Sequence, residues 1–159
     1  NFQEWTNFSN ANSPCVAWYE FDNNNSAYGL YYNEFALLTV RVPEGFRIPT
    51  RPDWTALEQC VRVPNFNYNA TGTNSAAWDW NIDNEVGLNS SGFNMLPVGR
   101  ISRFASGGFT GFGSFGLIWT KSIASYGDQI VGVAGGFSNL LSTVSGSEGG
   151  APIRFVKDV

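Results

Sequence analysis

A short block in the first third of the chain constrains the backbone more tightly than any other stretch. Residues 43–45 (Pro-Glu-Gly) predict a turn, and residues 46–49 (Phe-Arg-Ile-Pro) predict a short extended piece after it. Thr50 stands three residues before Asp53, with Pro52 in the first turn, which is typical of a helix N-terminus. Three apolar residues then recur at helical spacing, namely Trp54, Leu57 and Val61. The block therefore predicts a turn, a strand and a helix in succession.

Helical periodicity is weak outside this block, so composition decides the fold class. Only 14% of the residues are charged and 16% are aromatic, which is the reverse of a disordered chain. Coiled coils and long helical bundles need Ala, Glu, Lys and Leu at helical spacing, and the chain is poor in them. A length of 159 residues suits one domain. We therefore predict a loop-rich domain that is mostly β or α+β.

The remaining elements are predicted from apolar runs between polar or glycine-rich stretches. Strands are predicted over residues 16–21, 92–97, 117–122, 129–133 and 153–157. Residues 28–42 fit a helix or a strand, and a helix over residues 30–38 is favoured. The stretch 106–116, which alternates Gly and Phe, is predicted to be a loop, and residues 145–150 are predicted to form a turn.

The first residues differ in composition from the rest. Residues 1–14 are rich in Asn and Ser, and we predict a leading segment or linker from a longer protein, followed by the domain over residues 15–159. We expect this segment to dock through Phe2, Trp5 or Phe8. Because the chain starts with Asn1 and not Met, we expect a processed product or a domain cut from something longer.

The chain has no histidine, which removes Ser-His-Asp and Cys-His catalysis, histidine-ligated zinc and the commonest general base. Nine basic residues are scattered among 13 acidic ones, for a net charge of −4, so we expect no nucleic-acid partner. No apolar run reaches the roughly 18 residues of a membrane helix, so no membrane insertion is expected. Composition thus favours a binding protein over an enzyme.

Five blocks along the chain resemble one bacterial family. They are residues 28–33 (YGLYYN) after Cys15, residues 45–57 (GFRIPTRPDWTAL), residues 89–100 (NSSGFNMLPVGR), residues 107–122 (GGFTGFGSFGLIWTKS) and residues 153–158 (IRFVKD). In this order they resemble the motifs of the Fibrobacter succinogenes major paralogous domain family, and the resemblance covers roughly residues 15–158.

That resemblance implies a C-type-lectin-like fold of the formylglycine-generating-enzyme type, with two short helices around a twisted antiparallel sheet. It also implies an extracellular or surface setting, since related domains serve as receptor-binding tips in bacteria and phages. Val42 and Phe155 stand where the family usually has cysteines, so its disulfide pattern does not carry over. The catalytic cysteine pair of the formylglycine-generating enzymes has no counterpart in this sequence, which argues against that activity.

One candidate site lies in residues 78–85, where oxygen-bearing side chains alternate. Alternating oxygen ligands are typical of a calcium loop, so calcium is the cofactor to consider here. The candidate calcium ligands are Asp79, Asn81 and Asp83. The alternative is a solvated strand or loop whose tryptophans pack inward, with no metal and no cofactor.

The same segment and a second one are candidates for ligand binding. Trp and Tyr give a large contact area at low entropy cost, and Asn and Asp give adaptable hydrogen bonds, a combination that suits sugar rings. The candidate ligand-binding residues are Trp78, Asp79, Trp80, Asn81, Tyr126, Asp128 and Gln129. The last three lie in a predicted hairpin after Trp119, in the C-terminal third where the resemblance places the ligand-facing surface. An ordinary hairpin turn is the alternative for them.

The two cysteines allow two states. A disulfide between Cys15 and Cys60 would stabilise the fold by about 3–4 kcal/mol on the loop-entropy model. Two free, buried thiols are the alternative, and the sequence does not decide between them.

These observations favour a non-enzymatic recognition or adhesion domain, extracellular or on a cell or virion surface, that binds a glycan or a protein receptor. One alternative is a structural module of a fibre, a surface layer or a virion, with the chain assembled as a homotrimer through a parent fibre. The other is an enzyme related to sulfatase-modifying factors that uses Cys15 or Cys60. The missing histidine and the aromatic, Asn-rich loops favour the first of the three.

Overall fold

The computed structural model describes residues 1–61, 96, 98–102, 108–113, 116–121, 128–132, 142–145 and 149–158. The helices are α1 (Phe2–Asn10), α2 (Glu34–Thr39) and α3 (Arg51–Val61), and 3₁₀ segments cover Tyr19–Phe21 and Asn23–Tyr28. The strands are β1 (Val16–Ala17), β2 (Tyr31–Asn33), β3 (Phe46–Arg47), β4 (Val98–Ser102), β5 (Phe109–Phe112), β6 (Gly116–Trp119), β7 (Asp128–Gly132), β8 (Ser142–Ser145), β9 (Gly149–Pro152) and β10 (Val156–Lys157). The described part of the chain is a mixed α/β structure with few helices, as the composition predicts.

Most of the strands form one sheet. Eight strands belong to it, in the order β1-β2-β9-β4-β6-β7-β8, with β5 paired to β4 outside this path. A second sheet pairs β10 with β3. Among the described residues every strand pair is antiparallel except β4 with β6, where Gly99 pairs with Gly116. The strand β9 lies between β2 and β4, so the C-terminal part of the chain completes the middle of the sheet.

The sheet opens at Gly99. Ile101 and Ser102 of β4 pair with β9, whereas Gly99 pairs with β6. Gly99 has a φ of +61°, a conformation that glycine adopts without steric cost. A Cβ atom at this position would lie 2.2 Å from the carbonyl oxygen of Thr110 in β5, so only glycine fits. The ladder between β4 and β9 ends before this residue, and β6 takes the place beside β4.

Two hydrophobic clusters lie on the two faces of the sheet. The first contains Leu37, Ile48, Leu117, Trp119 and Ala151. The second contains Trp5, Ala17, Tyr31, Val98 and Ile101. The neighbouring residues Tyr31 and Tyr32 contribute to different clusters, because successive side chains of a strand point to opposite faces. The Tyr31 hydroxyl donates a hydrogen bond to the Val98 carbonyl, which links β2 to the start of β4 across the opening.

The turn, strand and helix predicted for the block at residues 43–61 are confirmed. The Phe46 N–H donates to the Pro43 carbonyl at 3.0 Å, which closes the turn before β3. Thr50 is the residue before α3, and its N–H and hydroxyl both donate to the Asp53 carboxylate, each at 2.7 Å. One half of a capping box is thus present, in which the side chain of the third helical residue, Asp53, accepts from the backbone N–H of the N-cap residue, Thr50.

The same block contains an ion-pair network around Arg47. Its guanidinium donates two hydrogen bonds to the Asp53 carboxylate and, through Nε, a third to Asp158 at 2.9 Å. These bonds hold the pKa of Asp53 well below its usual range and raise the pKa of Arg47. The network joins β3 and α3 to the end of the chain beyond β10.

The helix predicted over residues 30–38 is partly wrong. Residues 31–33 form β2, and α2 begins only at Glu34. The cause is Asn33, whose Oδ1 accepts from the Ala36 N–H at 2.9 Å and caps the helix, while its Nδ2 donates to the Ser13 carbonyl at 2.8 Å. The described residues therefore contain three α-helices, α1 among them, where the resemblance implied two.

Two segments predicted as loop and turn contain strands. Within residues 106–116, β5 forms because its phenylalanines pack on Tyr19, so tertiary contact outweighs the low strand propensity of glycine. Within residues 145–150, β9 begins at Gly149. A Cβ atom on Gly150 would lie 2.5 Å from Cζ2 of Trp5, so this glycine permits close packing of α1 and does not mark a turn.

The other predictions are met in part. The strands predicted over residues 117–122 and 129–133 correspond to β6 and β7, but β6 ends at Trp119, and residues 122 and 133 lie outside the described residues. The segment predicted as a strand over 16–21 is a two-residue strand followed by a 3₁₀ turn, and that over 153–157 is a strand only in its last residues. Most of residues 92–97 lie outside the described residues. The leading segment forms α1, capped by the Asn1 side chain, and docks through Trp5, which is only 2% exposed.

Candidate functional site

The opening of the sheet between β4 and β9 forms a cleft with a volume of about 320 Å³. It is lined by Ala27, Tyr28, Gly29, Leu96, Val98, Leu117, Ile118, Pro152, Ile153 and Arg154. Apart from Tyr28 and Arg154 these side chains are apolar. Ligand cavities in proteins typically range from about 300 to 1,000 Å³, so this cleft suits a small ligand or one end of a larger one.

Tyr28 lies at the rim of the cleft and keeps 37% of its surface exposed. Its ring makes edge contacts with Tyr19 and Phe112, with centroids 5.9 and 4.9 Å away. Tyr19 in turn stacks on Phe112 at 4.2 Å. Such aromatic contacts each stabilise by about 0.5–1.5 kcal/mol beyond area burial, so the exposed ring is held in a fixed orientation.

The backbone that leads to this rim is strained. Glu20 and Phe21 have φ values of 54° and 58°, which cost about 1–2 kcal/mol for each residue that is not glycine. The turn is held by the Phe21 N–H, which donates to the Trp18 carbonyl at 2.9 Å, and by the Phe21 ring against Phe109. Asn25 Nδ2 also donates to the backbone of this turn at 3.1 Å. Strain of this kind clusters at binding and switch regions.

Arg154 is the only charged residue among the described residues that line the cleft. It is half-buried, and burial lowers the pKa of its guanidinium. The group remains charged at neutral pH, since the ordinary pKa of arginine lies above about 12. Arg154 also interacts within the protein.

Most of the site residues predicted from the sequence lie outside the residues that the structure describes. Trp78, Asp79, Trp80, Asn81 and Tyr126 lie outside the described residues, as does Asp83. Asp128 and Gln129 form the start of β7, and their backbones pair with Ser145 and Val144 of β8. The predicted ligand and calcium sites at these positions stay predictions. Within the described part of the chain no group of three or more acidic, Cys or His residues is placed to hold a metal ion.

Cys15 is a free, half-buried thiol, whereas the side chain of Cys60 in α3 lies outside what is described. Of the two states left open for the cysteines, the structure has the free thiol at Cys15. Burial raises the pKa of this thiol, which is the opposite of the shift that activates a nucleophilic cysteine.

Residues 2–157 match the family described as the Fibrobacter succinogenes major domain. The chain belongs to this family. No curated protein and no solved structure matches the chain. The match begins at residue 2, so it includes α1, which the sequence predicted as a leading segment.

In this Fibrobacter succinogenes major domain, sequence reasoning missed the cleft. Neither Tyr28 nor Arg154 was among the predicted ligand-binding residues. A signal was present nonetheless. Four of the five blocks that resemble the family contribute residues to the lining of the cleft. These blocks are residues 28–33, 89–100, 107–122 and 153–158. Because these blocks belong to one set of family motifs although they are distant in the chain, they would have pointed to a shared location in the fold.

No described helix of this Fibrobacter succinogenes major domain has the length and apolar character that a membrane span requires.

Proposed function

We propose that this chain is a non-enzymatic recognition domain that binds a glycan on a cell surface through the cleft between Tyr28 and Arg154. The observation that carries the proposal is the combination, in one opening of the sheet, of a fixed and exposed aromatic ring with a half-buried cation. Aromatic anchors at the centre of a contact provide most of the binding energy in recognition sites.

The chemistry of the neighbouring residues supports binding over catalysis. The described lining residues include no carboxylate or thiol, so they provide no acid and base pair for a reaction. The 3₁₀ segment before Tyr28 exposes Asn23, Asn24 and Ser26, which are adaptable hydrogen-bonding partners for hydroxyl groups. A small cleft with an aromatic rim favours a sugar over the broad surface of a protein receptor, which is the second candidate ligand.

We place the domain outside the cell, on a bacterial or virion surface, and assign it the C-type-lectin-like fold of the formylglycine-generating-enzyme type. A mostly antiparallel sheet with helices packed on it and membership of the family support this placement. A receptor-binding tip of a longer fibre, assembled as a trimer, is one form that such a domain takes.

Binding to intact cells and to an immobilised glycan panel tests the function. Replacing Tyr28→Ala removes the exposed ring, and we expect binding at least about tenfold weaker than that of the unaltered chain, because an aromatic anchor is lost. The matched control is Leu38→Ala, which truncates another exposed apolar residue, 51% exposed in α2 and outside the cleft lining. Equal binding by Tyr28→Ala and Leu38→Ala would refute the cleft as the binding site.

A structural module that packs against neighbouring chains is the alternative function. Large apolar side chains exposed outside the cleft favour it, among them Phe8, Val16 and Phe46. Light scattering on the isolated chain distinguishes the two functions. Packing between chains predicts self-association, and recognition by the cleft alone predicts a monomer.

A further inference from the structure

The cleft has a lining that is mostly aliphatic. Of its ten described lining residues, only Tyr28 and Arg154 have side chains with hydrogen-bonding groups, and six have aliphatic side chains larger than that of alanine. These six are Leu96, Val98, Leu117, Ile118, Pro152 and Ile153. A group that enters the cleft therefore exchanges water for hydrocarbon along most of the described lining.

This lining distinguishes between the substituents of a sugar. A hydroxyl group that leaves water without a new hydrogen-bond partner loses affinity, whereas a methyl group gains it, by about fourfold for each buried carbon. Most substituents of a hexose ring are hydroxyl groups, so few parts of a saccharide suit an aliphatic cleft. Those that suit it end in a methyl group, namely the acetamido group of an N-acetylated sugar and the C6 methyl of a 6-deoxy sugar.

Tyr28 provides a second kind of contact. It lines the cleft, it is 37% exposed, and its ring makes edge contacts with Tyr19 and Phe112. A sugar ring has one face of C–H groups that packs on an aromatic ring. Asn24 and Ser26, which are exposed just before Tyr28, offer hydrogen bonds to hydroxyl groups that stay in water. The sugar ring and its methyl group are thus matched by different parts of one site.

We infer that the ligand of the cleft is a saccharide with a methyl-ended substituent, which enters the aliphatic lining while the sugar ring packs on Tyr28. This inference rests on the proposed function, and it adds the chemical class of the ligand. Arg154 already interacts within the protein, so no contact with the ligand is assigned to it. The volume of about 320 Å³ lies near the lower limit for ligand cavities, so the cleft suits one terminal sugar and not the interior of a chain.

The test compares pairs of sugars that differ only at the methyl group. N-acetylglucosamine and N-acetylgalactosamine are paired with their N-formyl analogues, which lack the methyl. L-fucose and L-rhamnose are paired with L-galactose and L-mannose, which carry a hydroxymethyl group in its place. Each sugar is titrated into the full chain, and binding is followed by methyl NMR at Ile118 and Ile153, with Val16, outside the described lining, as the control. We expect at least one methyl-bearing sugar to shift the signals of the cleft residues, and its partner to bind at least about fourfold more weakly.

Two substitutions of Ile153 locate the preference. Ile153→Thr and Ile153→Val both leave a β-branched side chain in the lining, but only threonine adds a hydroxyl group to it. We expect Ile153→Thr to bring the affinity ratio of each pair closer to one than Ile153→Val does. Tyr28→Ala is expected to weaken the binding of both members of a pair alike. The comparison on the unaltered chain decides the inference even if a variant fails to fold.

The outcomes separate this inference from the proposed function. Equal binding of both members of every pair at the cleft, or stronger binding of the members that lack the methyl group, overturns the methyl-bearing ligand and leaves the recognition function standing. A preference confined to the acetamido pairs or to the 6-deoxy pairs supports the inference and identifies the methyl group that the cleft takes.

The remaining outcomes contradict the inference. Shifts only outside the cleft overturn both the ligand class and the site. No binding of any methyl-bearing sugar, together with glycan-panel binding that depends on Tyr28, overturns the ligand class alone.

Discussion

The carboxylate of Asp53 shows how a single side chain fixes local structure. It accepts hydrogen bonds from the Thr50 N–H and hydroxyl and from both terminal nitrogens of Arg47. Every one of these partners lies within six positions in the chain. The turn, strand and helix of this block were predictable because the decisive contacts are local.

The low pKa of Asp53 makes stability depend on pH. A carboxyl group whose folded pKa lies below its unfolded value of about 3.9 stabilises the fold above that value. The contribution is lost as the pH falls from about 4 through the folded pKa. We expect Asp53→Asn to lower the free energy of unfolding by about 1 kcal/mol at pH 7, and the gap to the unaltered chain to narrow at pH 3.

Denaturant unfolding at the two pH values measures this gap. Asp158→Asn is the matched control, since Asp158 also accepts from Arg47 but is 64% exposed and makes an ion pair that solvent screens. Its effect at pH 7 should be clearly smaller. A gap for Asp53→Asn that stays constant from pH 7 to pH 3 would contradict the role given to its charge.

Among the elements, β4 determines where the cleft lies. It pairs with β5, β9 and β6, and the change of partner occurs at Gly99. No local sequence pattern predicts this change of partner, because the need for glycine at position 99 comes from the close approach of Thr110 in β5. The same holds for β5 and β9, which were predicted as loop and turn and are strands because of contacts with Tyr19 and Trp5. Tertiary contacts decide these glycine-rich elements, whereas α3 is decided by its own sequence.

Gly99→Ala tests the origin of the opening. The added methyl would collide with the Thr110 carbonyl at 2.2 Å in a backbone conformation with φ of +61°, so we expect a loss of about 3 kcal/mol or more. Gly45→Ala is the control, since Gly45 has a φ of +76° but nothing within 4 Å of the added atom. Its cost should be about 1–2 kcal/mol of backbone strain alone. Equal melting temperatures for the two variants would disprove the close approach at Gly99.

In the molecule as a whole, residues that are distant in the sequence come together around the cleft. The cleft takes its lining from the 3₁₀ segment before β2, from β4 and β6, and from the chain after β9. Composition predicted the fold class and a binding role, and the motif blocks predicted the family, which the match over residues 2–157 confirms. The motif blocks pointed to a shared location but not to Tyr28 and Arg154, which line one cleft only in the folded sheet. The sites predicted at residues 78–81 and 126–129 stay predictions.

Hydrogen–deuterium exchange on the full chain, with and without a bound cell-surface glycan, tests the central claim most directly. If recognition takes place in the cleft, backbone amides at residues 27–29 and 153–154 exchange more slowly in the complex, because the ligand excludes water from both walls. Slower exchange at residues 78–81 or 126–129 in addition would extend the site to the segments predicted from the sequence. Slower exchange that leaves both cleft walls unchanged would contradict the account.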